Sequence, residues 1–193
     1  MGPKLHGGKP IIIVCLGLPG VGKTTVSVKM ARILGADLIS EDNIKLMLAR
    51  KLLGESRYRW HIKHQIPFPM WLRSRVYREI HTRLTKLLEK TKIVIVDGIY
   101  PCRRFRQELL EIAGKFGAHV YVIEIICQEN VLKARLMKRR KSGHPAGWGM
   151  YMRLKRIWEP INIKHATIDT TSNIDEQIDK VIKEILNVTN LAP

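Results

Sequence analysis

Residues Gly17–Thr24 have the sequence GLPGVGKT. It matches the pattern GxxxxGK[ST], in which glycines let the backbone curl so that successive N–H groups point inward at phosphate oxygens. The apolar run Ile11–Leu16 precedes it, and a helical repeat with Val26, Met30 and Ile33 on one face follows it. A buried strand, a glycine loop and an amphipathic helix in this order predict a phosphate-binding loop.

Two side chains of this loop have predicted roles in binding a nucleotide. Lys23 is expected to bridge the outer phosphates, and the hydroxyl of Thr24 is expected to complete the shell of a Mg²⁺ ion. No NKxD-type motif for reading guanine occurs in the sequence, so ATP is expected rather than GTP. The predicted nucleotide-binding residues are Gly17, Leu18, Pro19, Gly20, Val21, Gly22, Lys23, Thr24 and Thr25.

Short apolar runs alternate with segments of helical period along the rest of the chain. This alternation predicts an α/β fold with a parallel five-stranded sheet flanked by helices. A chain of 193 residues with 45% apolar residues is long enough for one compact domain, and no apolar run approaches the roughly 18 residues of a membrane helix. We expect a single domain over residues 1–193, in the cytoplasm and not in a membrane. The predicted strands are Ile11–Leu16, Asp37–Ser40, Ile93–Asp97, His119–Ile126 and Thr167–Thr170.

One interval interrupts this pattern. Lys141–Gly149, with the sequence KSGHPAGWG, contains glycine and proline and few apolar residues, which favours a mobile loop or lid. The lid region is expected to cover about residues 135–158.

Two aspartates follow predicted strands and are candidates for chemistry. Asp42 lies just past the strand Asp37–Ser40, where ligands bind in open α/β sheets, and could accept the proton of an attacking hydroxyl. It could instead only cap the following helix. Asp97 ends the strand Ile93–Asp97 as a Walker B residue does, and could hold Mg²⁺ directly or through water. A plain Asp-Gly turn is the alternative for Asp97.

Arg135 and Arg139 lie four residues apart on the helix before the predicted lid, so both are expected to point the same way. Arginines that close over a transferring phosphoryl group stabilise its charge. A solvated basic face is the alternative.

Taken together, these motifs resemble the AAA_33-type P-loop kinases, which include the kinase domains of polynucleotide 5′-kinases and seryl-tRNA kinases. The resemblance runs from about Pro10 to the last helix. It rests on GLPGVGKTT at Gly17–Thr25, SEDNIK at Ser40–Lys45, VDG at Val96–Gly98, RxxxR at Arg135 and Arg139, and EP…IDTT at Glu159–Thr171.

The resemblance implies a three-layer P-loop fold with strand order 2-3-1-4-5 and a closing lid. It implies that Asp42 is the base that activates the acceptor hydroxyl and that Arg135 and Arg139 are lid arginines. Lys45 occupies the place of an arginine that helps to bind the acceptor, although a lysine recognises phosphate less well in a bidentate manner.

The formal charge of +17, with a pI near 10.1, favours a polyanionic partner. Cations and aromatic rings are mixed between the second and third strands, and Arg57, Arg59 and Trp60 together with Lys45 are the predicted acceptor-binding residues. The leading hypothesis is therefore an ATP- and Mg²⁺-dependent kinase that acts on a hydroxyl of RNA, tRNA or a polynucleotide end. The alternatives are a kinase for a small molecule, such as a nucleoside or sugar, and an ATP-gated RNA-binding regulatory factor.

Overall fold

The fold follows from a computed structural model that describes residues 8–64, 66, 68–141 and 147–188. None of the described helices is both long and apolar enough to cross a membrane. The elements in chain order are β1 Ile11–Leu16, α1 Lys23–Leu34, β2 Asp37–Ser40, α2 Glu41–Leu53, α3 Glu55–Lys63, α4 Met70–Leu88, β3 Ile93–Gly98, α5 Arg103–Lys115, β4 His119–Ile126, α6 Glu129–Lys141, α7 Trp148–Arg156, β5 Ala166–Asp169 and α8 Ile174–Val188.

The described strands form one parallel sheet in the order β2-β3-β1-β4-β5. Central strand β1 is wholly buried, and its residues alternate between the two faces because successive side chains of a strand point in opposite directions. Ile11 and Ile13 pack with the cluster that contains residues of α1, α6 and α8, whereas Ile12 and Val14 pack with residues of α2, α4 and α5. The expected α/β architecture, with helices on both faces, is confirmed.

The predicted strands agree with the structure to within one residue at each end. β3 continues to Gly98 and β5 begins at Ala166. These small shifts reflect pairing, since Gly98 still pairs with Leu16 and Ala166 pairs with Ile123. Strand order 2-3-1-4-5 is also confirmed.

The predicted loop at Lys141–Gly149 is partly wrong. Lys141 is the last residue of α6, and Trp148 and Gly149 begin α7. Trp148 stacks on Tyr151 with ring centroids 4.9 Å apart, and this apolar contact favours helix in spite of the two glycines beside it. Residues 142–146 of the predicted loop lie outside the described residues.

Candidate active site

The phosphate-binding loop lies between β1 and α1, where its backbone requires glycine. Gly17 has φ 151° and Gly22 has φ 101°, a region that L side chains rarely adopt. A Cβ at Gly17 would lie 2.4 Å from the backbone oxygen of Ile125 on β4. Gly22 caps α1 without a side chain, so the first N–H groups of the helix remain available to an anion in the loop.

Lys23, Thr24 and Asp97 meet at this loop. The Thr24 hydroxyl donates to Oδ2 of Asp97 at 2.7 Å, and Lys23 Nζ donates to the backbone oxygen of Leu18 at 3.1 Å. Burial lowers the pKa of Lys23 in spite of the nearby carboxylates of Asp97 and Asp42. Thr24 and Asp97, which are 73 residues apart in the chain, are thus in direct contact, and their predicted role as metal ligands stays a prediction.

Asp97 has the properties of a metal ligand. Its side chain is only 4% exposed, and burial raises its pKa although Lys23 and the Thr24 hydroxyl oppose this. Its Oδ1 atom is buried and has no hydrogen-bond partner within the described part of the chain. Hard oxygen ligands beside bound phosphates are what Mg²⁺ prefers, so Asp97 and Thr24 fit this ion. No group of three or more His, Cys, Asp or Glu side chains that could hold a metal occurs among the described residues.

Asp42 is the second residue of α2, and Ser40 rather than Asp42 caps that helix. The Ser40 hydroxyl accepts from the backbone N–H of Asn43, so the alternative role of Asp42 as the N-cap is wrong. Asp42 forms an ion pair with Lys45, one helical turn along. Burial acts to lower the pKa of Lys45, but the carboxylates of Asp42 and Glu41 outweigh it and raise that pKa.

Glu41 is a site residue that the sequence reasoning missed. It is 5% exposed and accepts hydrogen bonds from the Tyr77 hydroxyl, at 2.9 Å, and from the backbone N–H of Ile99. The same Tyr77 oxygen accepts from the backbone N–H of Tyr100 at 2.9 Å. Glu41 thus ties the start of α2, and Asp42 with it, to α4 and to the end of β3. The only signal for it in the sequence is an acidic residue in the first turn of a helix after a strand.

The two predicted lid arginines occupy different surroundings. Arg135 donates to the hydroxyl and the carbonyl of Thr170, each at 2.8 Å, and the Thr170 hydroxyl in turn donates to the backbone oxygen of Val21. Arg139 lies on the wall of the cavity described next. In this structure Arg135 therefore braces the phosphate-binding loop through Thr170, and Arg139 is the one of the two that lines the cavity.

A cavity of about 550 Å³ joins the phosphate-binding loop to the space between α2, α4 and α7. Its lining includes Lys23 and Thr24 of the loop, the carboxylates of Asp42 and Asp97, and a mainly apolar group of residues that we call the far end. Four of its residues, Leu46, Ile62, Phe68 and Leu72, belong to or pack against a small core cluster that α2, α3 and α4 build. The far-end residues are Leu46, Ile62, Phe68, Leu72, Val76, Ile99, Met150 and Leu154, with Lys45 and Arg73 among them.

The other predicted acceptor-binding residues lie outside this cavity. Arg57 is exposed, Arg59 forms an ion pair with Glu55 on its own helix at 2.7 Å, and Trp60 is 50% exposed. None of these three lines the cavity, whereas Lys45 does. Their predicted role in binding an acceptor stays a prediction.

The chain is similar to proteins of known family and structure. Residues 12–149 match the AAA_33 family, which is described as an AAA domain. A sugar kinase from Janibacter sp. HTCC2649 has a TM-score of 0.71 at 16% identity, over 95% of this chain and 99% of its own. A gluconokinase from Sinorhizobium meliloti 1021 has a TM-score of 0.69 at 19% identity, over 95% of each chain. The APS kinase CysC of Mycobacterium tuberculosis, in complex with AMPPNP and APS, has a TM-score of 0.63 at 18% identity, over 92% of this chain and 98% of its own. At such identities these likenesses establish the fold.

Proposed function

The chain belongs to the AAA_33 family of P-loop proteins, and we propose that it is a kinase that transfers the γ-phosphate of ATP to a hydroxyl group of a small molecule. This is the alternative to the RNA or polynucleotide acceptor that the charge of +17 favours. The sugar kinase, the gluconokinase and the APS kinase that share the fold support the small-molecule proposal.

The observation that carries the proposal is the continuous cavity from Lys23 to the apolar far end. Its volume of about 550 Å³ falls within the range of small-molecule sites. Asp42 lines the same cavity as Lys23 and Thr24, which supports its proposed role as the base for an acceptor bound there. The exposed residues Arg57 and Trp60 do not line this cavity, so contacts with them alone would not bring a nucleic acid into it.

Contacts between the proposed lid and α3 help to close the far end. Arg140 of α6 donates to the backbone oxygen of Lys63 at 2.8 Å, and Arg153 of α7 donates to that of His64 at 3.5 Å. These oxygens belong to the end of α3, where backbone carbonyls lack helical partners. Part of the basic charge of the lid region is thus used to hold it against α3, which weakens the argument from charge to a polyanion.

The proposed reaction is an in-line transfer between bound partners. Asp42 accepts the proton of the acceptor hydroxyl, whose oxygen forms a bond to the γ-phosphorus as the bond to the ADP oxygen breaks. Lys23, the loop N–H groups and Arg139 stabilise the negative charge on the transferring group. Thr24 and Asp97 would hold Mg²⁺, which neutralises charge on the β- and γ-phosphates when bound. Arg135 positions the loop through Thr170.

The test is transfer of γ-labelled phosphate from ATP to a panel of nucleosides, sugars and hydroxy acids, with 5′-hydroxyl RNA and tRNA included. Label on a small molecule is expected. Asp42→Asn should lower the rate by about 10²–10⁴-fold, whereas Asp37→Asn, on the exposed part of β2, should leave it unchanged. Lys23→Ala should abolish transfer, and Lys29→Ala on the same helix should not.

Two results would contradict the proposal. Label only on RNA or tRNA would restore the polynucleotide acceptor. Full transfer by Lys23→Ala would remove the site assignment altogether.

A further inference from the structure

Arg73 has an unusual place on the wall of the cavity. It lies in the first turn of α4, beside the buried Leu72, and is one of the cavity-lining residues of the far end. Its Nη1 atom is buried and has no hydrogen-bond partner within the described chain. A buried N–H group without an acceptor is costly, and more so in a charged group.

A second cation of the far end already has a carboxylate partner. Lys45 also lines the far end, but its ammonium group is paired with Asp42. Arg73 lies close enough to Lys45 for its positive charge to oppose the raised pKa of that lysine. No ion pair of Arg73 with a carboxylate occurs in the part of the chain that the structure describes. At the far end, the charge of Lys45 is therefore paired with the carboxylate of Asp42, whereas the charge of Arg73 has no carboxylate partner among the described residues.

The surroundings of Arg73 are apolar. Leu72 precedes it directly in the chain, and Leu46, Ile62 and Phe68 also line the far end of the cavity. Hydrogen bonds to a guanidinium group are strong in such surroundings, and its planar fork matches the two oxygens of a carboxylate or phosphate. A ligand that supplies both an oxyanion and an apolar body would satisfy Arg73 and bury these side chains.

We propose that the acceptor is a small hydroxyl compound with an apolar body and an oxyanion, a carboxylate or a phosphate, and that Arg73 binds the oxyanion. This inference rests on the proposed kinase function and names the substrate class of the same site. Arg73 determines specificity because it binds a part of the acceptor that does not react, while Asp42 faces the hydroxyl that does.

The first experiment compares acceptors that differ only in charge. Small hydroxy acids are each paired with their methyl ester, and phosphorylated diols are each paired with the unphosphorylated diol. The two sets separate a carboxylate from a phosphate as the bound group. Initial rates with wild-type protein should give kcat/KM at least about 10-fold higher for the charged member of a pair, because a charge-assisted bond to arginine is lost in the other member.

The second experiment measures binding without transfer. Wild type, Arg73→Gln and the control Arg75→Gln, which changes an exposed arginine on the same helix, are loaded with AMPPNP and Mg²⁺. Calorimetry then measures binding of inorganic phosphate, inorganic sulfate and the acids of the panel. Arg73→Gln should weaken binding of the anions about 10-fold or more and leave the affinity for AMPPNP within about 2-fold. Arg75→Gln should match wild type in both.

The outcomes distinguish a failure of the oxyanion site from a failure of the proposed kinase function. If charged and neutral acceptors react equally well, or if Arg73→Gln binds the anions as tightly as wild type, the oxyanion site is wrong while the kinase function stands. If no compound is phosphorylated but anions bind in an Arg73-dependent way, the oxyanion site stands and the kinase function falls. If wild type loaded with AMPPNP binds none of the anions, the oxyanion site is wrong. A loss of AMPPNP binding in Arg73→Gln would show that the residue supports the fold of the cavity instead, and would also overturn the inference.

Discussion

Removal of one hydroxyl group, in Tyr77→Phe, should destabilise the protein strongly. Tyr77 is fully buried, and its oxygen forms two hydrogen bonds of 2.9 Å, one donated to Glu41 and one accepted from the backbone N–H of Tyr100. A bond to a charged group contributes about 1.5–3 kcal/mol and a bond between neutral groups about 0.5–1.5 kcal/mol. Glu41 keeps its bond from Ile99, so the expected loss in the free energy of unfolding is about 2–4 kcal/mol.

Tyr100→Phe is the matched control. Tyr100 is as fully buried as Tyr77, and the two rings lie 4.8 Å apart, but the Tyr100 hydroxyl has no hydrogen-bond partner among the described residues. Removing a buried hydroxyl without a partner removes a desolvation cost. Tyr100→Phe should therefore leave the free energy of unfolding within about 0.5 kcal/mol of wild type or raise it.

Urea unfolding followed by circular dichroism measures both variants through the shift of the midpoint at constant slope. In a domain of this size a loss of about 2–4 kcal/mol lowers the melting temperature by about 4–16 °C. Equal effects of Tyr77→Phe and Tyr100→Phe would contradict the prediction, because the two substitutions remove the same kind of atom from one apolar cluster and differ only in its hydrogen bonds. Glu41→Gln combined with Tyr77→Phe should cost less than the sum of the single changes, since both disrupt one bond.

Three further predictions concern the nucleotide and the lid. Burial raises the pKa of Asp97, so its carboxylate takes up a proton at a higher pH than an ordinary aspartate does. Mg²⁺-dependent binding of AMPPNP should weaken as the pH falls through that raised pKa, and Asp97→Asn should bind weakly at every pH when measured by calorimetry. Gly17→Ala should lose nucleotide binding, because the new Cβ would lie 2.4 Å from the backbone oxygen of Ile125; normal thermal stabilisation by AMPPNP would contradict this. Arg140→Ala removes the 2.8 Å bond to Lys63 and should raise KM for the acceptor several-fold with little change in KM for ATP.

Local patterns in the sequence were enough to predict the phosphate-binding loop and the strands. A glycine loop of set spacing follows an apolar strand and precedes an amphipathic helix, and each of these features depends only on residues near one another in the chain. The same patterns also predicted that Asp42 and Asp97 lie at one edge of the sheet, because the carboxyl ends of parallel strands meet at one edge. The structure places both on one cavity wall.

Contacts between distant segments could not be predicted in this way. Arg135 and Arg139 share a spacing that puts them on one side of an isolated helix, yet Thr170, 35 residues further along the chain, binds Arg135. Trp60 has an aromatic ring amid positive charges, but its helix turns it outward to 50% exposure. The spacing of residues along a helix predicts on which side of that helix a side chain lies. The residues that the side chain contacts depend on how the other segments pack against that side.

Residues close together in the chain were sufficient to predict a phosphate-binding loop on a parallel sheet, since phosphate recognition depends on backbone geometry that glycine spacing encodes locally. The rest of the candidate site became visible only in the folded protein. The pairing of Lys45 with Asp42, the burial of Glu41 and the unpartnered Nη1 of Arg73 arise where α2, α4 and the end of β3 meet. Charge summed along a chain carries no information about which charges become paired or buried, because burial and pairing depend on distances that folding creates.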